Sequence, residues 1–172
     1  SQPRVLRSTN FILNTDISDR SAKILLDKLE TMIALVSQYY GRPPGRVIEC
    51  YVVRDLAQWP RDKFPDMAAA KIAEPAGVTI TRILGNDVRS IVYSCDEHGV
   101  AQHEAVHAYC NQTFGDNGPT WYSEGMAEVG NYWKQGQLAV EVEPGAIMYL
   151  RNTPPKHLLD IVAAGQITGD SW

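Results

Sequence analysis

From Asp19 to Tyr40 the apolar residues Leu25, Leu26, Leu29, Ile33, Val36 and Tyr40 recur at helical spacing, and this stretch constrains the fold more than any other. A long helix with one apolar side has to lay that side on a partner surface. Its ends are also legible. Asp16 or Ser18 can cap the start, and Gly41 followed by Pro43-Pro44 stops it. The partner surface comes from runs with strand character on either side: Arg7–Thr15 before it, and Val47–Val53, rich in β-branched residues, after it. Two further runs, VTITRIL at 78–84 and VRSIVYS at 88–94, are separated by Gly85-Asn86-Asp87 and read as a hairpin. Prolines between Leu56 and Gly77 imply irregular chain with short helical turns. Helical patterns return at 99–114, closed by Gly115, and at 121–134, with the loop 115–120 between them. The tail is broken by Pro144-Gly145 and Pro154-Pro155, and a short helix is expected at 156–164. Strands first and helices later predict an α+β domain with a small mixed or antiparallel sheet and an N-terminal helix.

A chain of 172 residues is long enough to bury one core, and no repeat or linker divides it. We read residues 1–172 as one domain: a strand and helix part at 1–98, a helix pair at 99–134 and a tail at 135–172. Hydrophobic residues at 44% and charged residues at 21% are ordinary for a globular protein. A net charge of −4 lacks the basic footprint of a nucleic-acid partner, and no apolar run reaches the length of a membrane span. Cys50, Cys95 and Cys110 form no C-x-x-C pair, and their odd number leaves the redox compartment open. Ser1 opens polar sequence, so the expectation is a chain with no signal peptide or one already processed or trimmed.

His103-Glu104-Ala105-Val106-His107 is an H-E-x-x-H sequence inside the 99–114 helix. Residues i and i+4 lie about 40° apart round a helix, so both imidazoles point the same way, while Glu104 sits about 100° from His103. Two imidazoles suit one zinc ion, and a catalytic site needs a third protein ligand and a water. Glu104 is placed to take the proton of that water. The third ligand is sought downstream, where Trp121-Tyr122-Ser123-Glu124-Gly125-Met126-Ala127-Glu128 opens the second helix. The loop 115–120 can span up to about 20 Å, enough to fold the second helix back at about 8–10 Å between axes and bring Glu124 to the imidazoles. Glu128, four residues on, shares the face of Glu124 and is expected to accept the outer N–H of His103; the alternative is a solvated glutamate.

HEAVH followed by WYSEGMAE resembles the gluzincin metallopeptidases, the peptidase MA-like clan containing thermolysin and the aminopeptidase N-like enzymes. In the latter a tryptophan precedes an N/S-E-G-x-A block whose glutamate is the third zinc ligand, the position of Glu124 here. The long first helix and the strand VIECYVV are also similar to bacterial peptidase MA-like domains, often found with signal peptides. The resemblance implies a zincin-like hydrolase cleaving a peptide or protein substrate, outside the cytoplasm, with metal ligands His103, His107 and Glu124 and general base Glu104. It also implies that the strand at 88–94 is an edge that pairs with extended substrate; the alternative is an ordinary strand.

Two departures stand out. The interval from His107 to Glu124 is slightly shorter than in the best-known members, and only residues 135–172 stand where those enzymes build a helical lobe. That lobe often supplies the oxyanion donor, for which Tyr149, Arg151 and His157 are the candidates here; the alternative is that this chain lacks one. A truncated lobe keeps a second reading open: a catalytically weak or inactive gluzincin-like domain that binds metal or peptide. A purely structural zinc site ranks last, because such sites usually fill the fourth position. Cobalt, nickel or manganese would also accept this donor set. His98 is expected to help local capping, Cys110 to be core, and Trp59, Trp121 and Trp133 to be core or cleft wall. The oligomeric state is not encoded in any motif.

Overall fold

The computed structural model of the chain describes residues 2–85, 87–115, 118–142, 144–155 and 157. In chain order the elements are β1 (Arg4–Arg7), β2 (Phe11–Thr15), α1 (Asp19–Tyr40), β3 (Ile48–Val53), α2 (Asp66–Ala73), β4 (Gly77–Leu84), β5 (Asp87–Cys95), α3 (His98–Phe114), α4 (Thr120–Tyr132) and α5 (Pro144–Asn152), with a 3₁₀ turn at Leu56–Gln58. The architecture is α+β, built on a five-stranded sheet in the order β1-β2-β3-β5-β4. The sheet is mixed: β2, β3 and β5 run parallel, and β1 and β4 close the two edges antiparallel to their neighbours.

The first helix forms where its pattern predicts. Of the two candidate caps, Ser18 takes the role, its Oγ accepting from Ser21 N at 3.2 Å. Asp16 instead accepts the backbone N–H groups of Arg54 and Asp55 at 2.8 and 2.9 Å, tying β2 to the end of β3. Gly41 ends α1 at φ 66°, a left-handed conformation, and Arg42 N donates back to Ser37 O. The helix is the crossover between parallel β2 and β3, and it buries Leu25, Leu29 and Ile33 against one face of the sheet.

Alternation along β3 divides the core. Ile48, Cys50 and Val52 join Phe11, Leu13 and Val92 under α1 and α3, while Tyr51 and Val53 point to the other face. There they meet Trp59, Phe64, Tyr93 and, from α2, Ala68 and Ile72. Cys110 is buried in the first cluster, as its composition suggested.

Several local expectations need correction. The run at 7–15 is two strands with a turn, because Glu30 of α1 accepts from Ser8 Oγ, Asn10 N and Asn10 Nδ2 at 2.5–2.7 Å and fixes the chain reversal. The hairpin connection is two residues, since Asp87 pairs with Leu84. The Pro-broken segment contains the eight-residue helix α2. The tail forms α5 from Pro144, where a proline at the first helical position loses no intrahelical bond. The helix expected at 156–164 lies, apart from His157, outside the described residues. No helix among the described residues is long and apolar enough to cross a membrane.

Candidate metal centre

Helix α3 is buried on more than one side because it lies between the sheet and α4. Ala101, Ala105 and Ala108 are fully buried small residues that let the helix approach its neighbours closely. Helix α4 is pinned beside it by two devices. Gly130 allows close approach: a Cβ there would lie 2.7 Å from Val106 Cγ2 and 3.0 Å from Gln102 O. The buried Gln102 side chain then donates its amide hydrogens to Gly130 O at 2.8 Å and Trp133 O at 3.0 Å. These carbonyls lie at the helix end, where intrahelical donors run out.

That packing sets Glu124 against the two histidines. His103 Nε2 and His107 Nε2 are 3.2 Å apart, and Glu124 Oε2 lies 3.3 Å from the first and 3.4 Å from the second. The three atoms form a nearly equilateral triangle. Zinc held tetrahedrally at about 2.0–2.1 Å would have its ligand atoms about 3.3–3.4 Å apart, so the donors and their spacing fit that ion. Among the described residues, His103, His107 and Glu124 are the one group of this kind.

Each imidazole is held from behind. His103 Nδ1 lies 3.0 Å from Glu128 Oε1, and Asn131 Nδ2 donates to the other Glu128 oxygen at 3.0 Å. His107 Nδ1 lies 3.3 Å from Ser123 Oγ. With the outer nitrogens engaged, both rings turn Nε2 to the common point.

The electrostatics favour a cation here. Burial by itself would lower the His103 pKa, but hydrogen bonds to Glu124 and Glu128 outweigh it and push the imidazole up to about 9. The same bonds from His103 and His107 hold Glu124 well below the usual carboxylate range, and the bond from His103 lowers Glu128.

Glu104 stands beside this group without belonging to it. Its carboxylate is buried, and Thr79 of β4 lies 2.7 Å from Oε2 and 2.8 Å from the Glu104 carbonyl, so one hydroxyl hydrogen is shared between two acceptors. Burial raises the Glu104 pKa, with the Thr79 bond pulling the other way. Gly77 makes this approach fit, because a Cβ there would come within 2.8 Å of Glu104 Cγ and Val100 Cγ1. A cleft of about 470 Å³ opens on the whole assembly, walled by β4, α3 and the first turns of α4.

His103, Glu104, His107, Glu124 and Glu128 thus converge. Other sequence expectations do not survive. The strand at 88–94 is not an edge: β5 is paired on both sides, and β4 is the edge strand that borders the cleft. Tyr149, Arg151 and His157 do not line the cleft. His98 does not cap its helix; its ring bonds Ser21 Oγ at 3.0 Å on α1. Trp59 and Trp133 are core, whereas Trp121 is 37% exposed and joins neither core nor cleft wall. Thr79, Ser123, Gln102 and Gly77 escaped sequence reasoning. Ser123 had a signal, a hydroxyl residue directly before the third ligand candidate. The others act across elements that only the fold brings together.

No protein-family model matches the chain, and no curated protein matches it.

Proposed function

We propose that this protein is a zinc-dependent hydrolase of peptide bonds, of gluzincin type, with His103, His107 and Glu124 as metal ligands and Glu104 as general base. The observation that carries this reading is the 3.2–3.4 Å triangle of two imidazole nitrogens and one carboxylate oxygen, with the buried carboxylate of Glu104 beside it. Zinc held there would supply a Lewis acid that lowers the pKa of water towards about 7 and polarises the substrate carbonyl. The residues of the chain do the rest. Glu104, whose pKa is raised by burial, takes a proton from the attacking water and returns it to the leaving amine. Thr79 holds the Glu104 carboxylate in place for both transfers. Glu128 and Ser123 keep the imidazoles in the tautomer that turns Nε2 inward. The exposed ladder edge of β4, on the cleft wall, is suited to pairing with an extended substrate backbone.

Substitution of the base tests the reading. Glu104→Ala should retain one equivalent of zinc by metal analysis while turnover of a mixed protein substrate falls by about 10²–10⁴-fold, the usual worth of a general base. Hydrolysis at the original rate would remove Glu104 from its role.

A second reading, a catalytically weak or inactive domain of this type that binds metal or peptide, is favoured by one observation. None of Tyr149, Arg151 and His157 reaches the cleft to serve as an oxyanion donor. Stoichiometric zinc without chelator-sensitive hydrolysis would select it.

A further inference from the structure

The walls of the metal cleft carry information about what fits there, an inference that rests on the reading just given. Apart from the residues assigned to metal and base, the side chains along it among the described residues are Thr79, Asn111, Thr120 and Ser123, with Val78 the apolar exception and three glycines. Among the described residues no lysine, arginine or aspartate lines it. Asn111 lies one helical turn beyond His107 and therefore faces the same way. Its Nδ2 donates to Thr81 Oγ1 at 2.9 Å, and Thr81 Oγ1 is 2.8 Å from Ser90 Oγ, so an uncharged polar chain runs from α3 across β4 to β5. This chain fixes the amide of Asn111 at the wall. Thr120, the first residue of α4, stands at the same cleft.

An apolar substrate side chain in that space would strip water from amide and hydroxyl groups and return no hydrogen bond. A carboxylate would meet Glu104 and Glu124, and a cation would find these two carboxylates, the only ones among the described lining residues, already committed to the centre. We propose that the substrates are peptides with an uncharged hydrogen-bonding side chain (asparagine, glutamine, serine or threonine) next to the cleaved bond, read by Asn111 and Thr120.

The test uses the zinc-loaded full chain and a set of peptides that differ at the positions flanking one bond: asparagine, glutamine, serine or threonine against leucine, phenylalanine, glutamate and lysine. Cleavage rates and equilibrium binding by competition are both read. Polar uncharged peptides should be favoured at least about tenfold in kcat/KM, with binding ranked the same way. Asn111→Leu should abolish that preference and shift it towards leucine. Thr120→Val, at an exposed position that tolerates substitution, should weaken it in the same direction. Cleavage with leucine or phenylalanine preferred, or a preference unmoved in both variants, overturns the proposal and leaves the hydrolase reading intact. Selective binding of the polar peptides without cleavage has the reverse meaning: the subsite stands and hydrolysis falls. Neither binding nor cleavage overturns both.

Discussion

Helix α4 divides two cavities of nearly equal size and opposite chemistry. On one side Thr120, Ser123 and Glu124 face the cleft of about 470 Å³ that holds the two histidines. On the other, Met126, Val129 and Trp133 wall a groove of about 500 Å³ shared with Met32, Val36 and Tyr39 of α1. One amphipathic helix makes both, because residues three and four apart share a side. Volume therefore says little about function here. In the cleft, two ring nitrogens and a carboxylate oxygen converge within 3.2–3.4 Å of one another. The groove offers mostly apolar surface, such as the fully exposed Leu138, and no histidine, cysteine or carboxylate among its described lining residues. A site is recognised by groups whose burial needs a reason.

The comparison can be broken experimentally, starting with the largest effect. Glu124→Ala removes one corner of the triangle, and stoichiometric zinc should be lost in metal analysis. The melting temperature of the variant should also stop responding to chelator, whereas the parent should lose the stabilisation that a bound ligand confers. Unchanged zinc content would show that the triangle is not the metal site. Glu128→Gln should weaken zinc by about 10–100-fold in a competition titration, the usual effect of losing a carboxylate behind a metal-bound histidine.

Glu124 and, behind the ring, Glu128 give a pH signature in the metal-free protein. A His103 pKa raised from 6.5 to about 9 contributes stability that is complete below 6.5 and lost as pH rises through 9. Chelated protein should therefore melt at lower temperature as pH rises through this window, and Glu128→Gln should flatten the fall. A flat profile in the parent would sink the ion-pair description.

Gly130→Ala would place a methyl group against Val106 and the Gln102 carbonyl. It should cost about 1–3 kcal/mol in denaturant unfolding and weaken zinc by displacing α4 from α3. Parental zinc affinity in a destabilised variant would separate helix packing from site geometry. The smallest effect belongs to the groove: Leu138→Ser should change stability by less than about 0.5 kcal/mol and leave zinc binding untouched. A loss of zinc there would mean that the two sides of α4 are coupled.

What the sequence by itself determined lies within single elements. The period of α1, its stop at Gly41, the strand character of β3 and the common direction of His103 and His107 follow from local geometry, in which side-chain direction is set by position along one helix or strand. Glu124 and Glu128 were also within reach, since one short loop has few ways to return a helix beside its predecessor. Tertiary structure alone decided the rest. Whether β4 or β5 is the edge depends on which strand β3 pairs with, a hydrogen-bonding choice between segments far apart in the chain. The turn held by Glu30, the grip of Gln102 on the end of α4 and the bond from Thr79 to Glu104 join residues about 20 to 31 positions apart. No spacing in a one-dimensional pattern announces such meetings, because they exist only once the layers have packed.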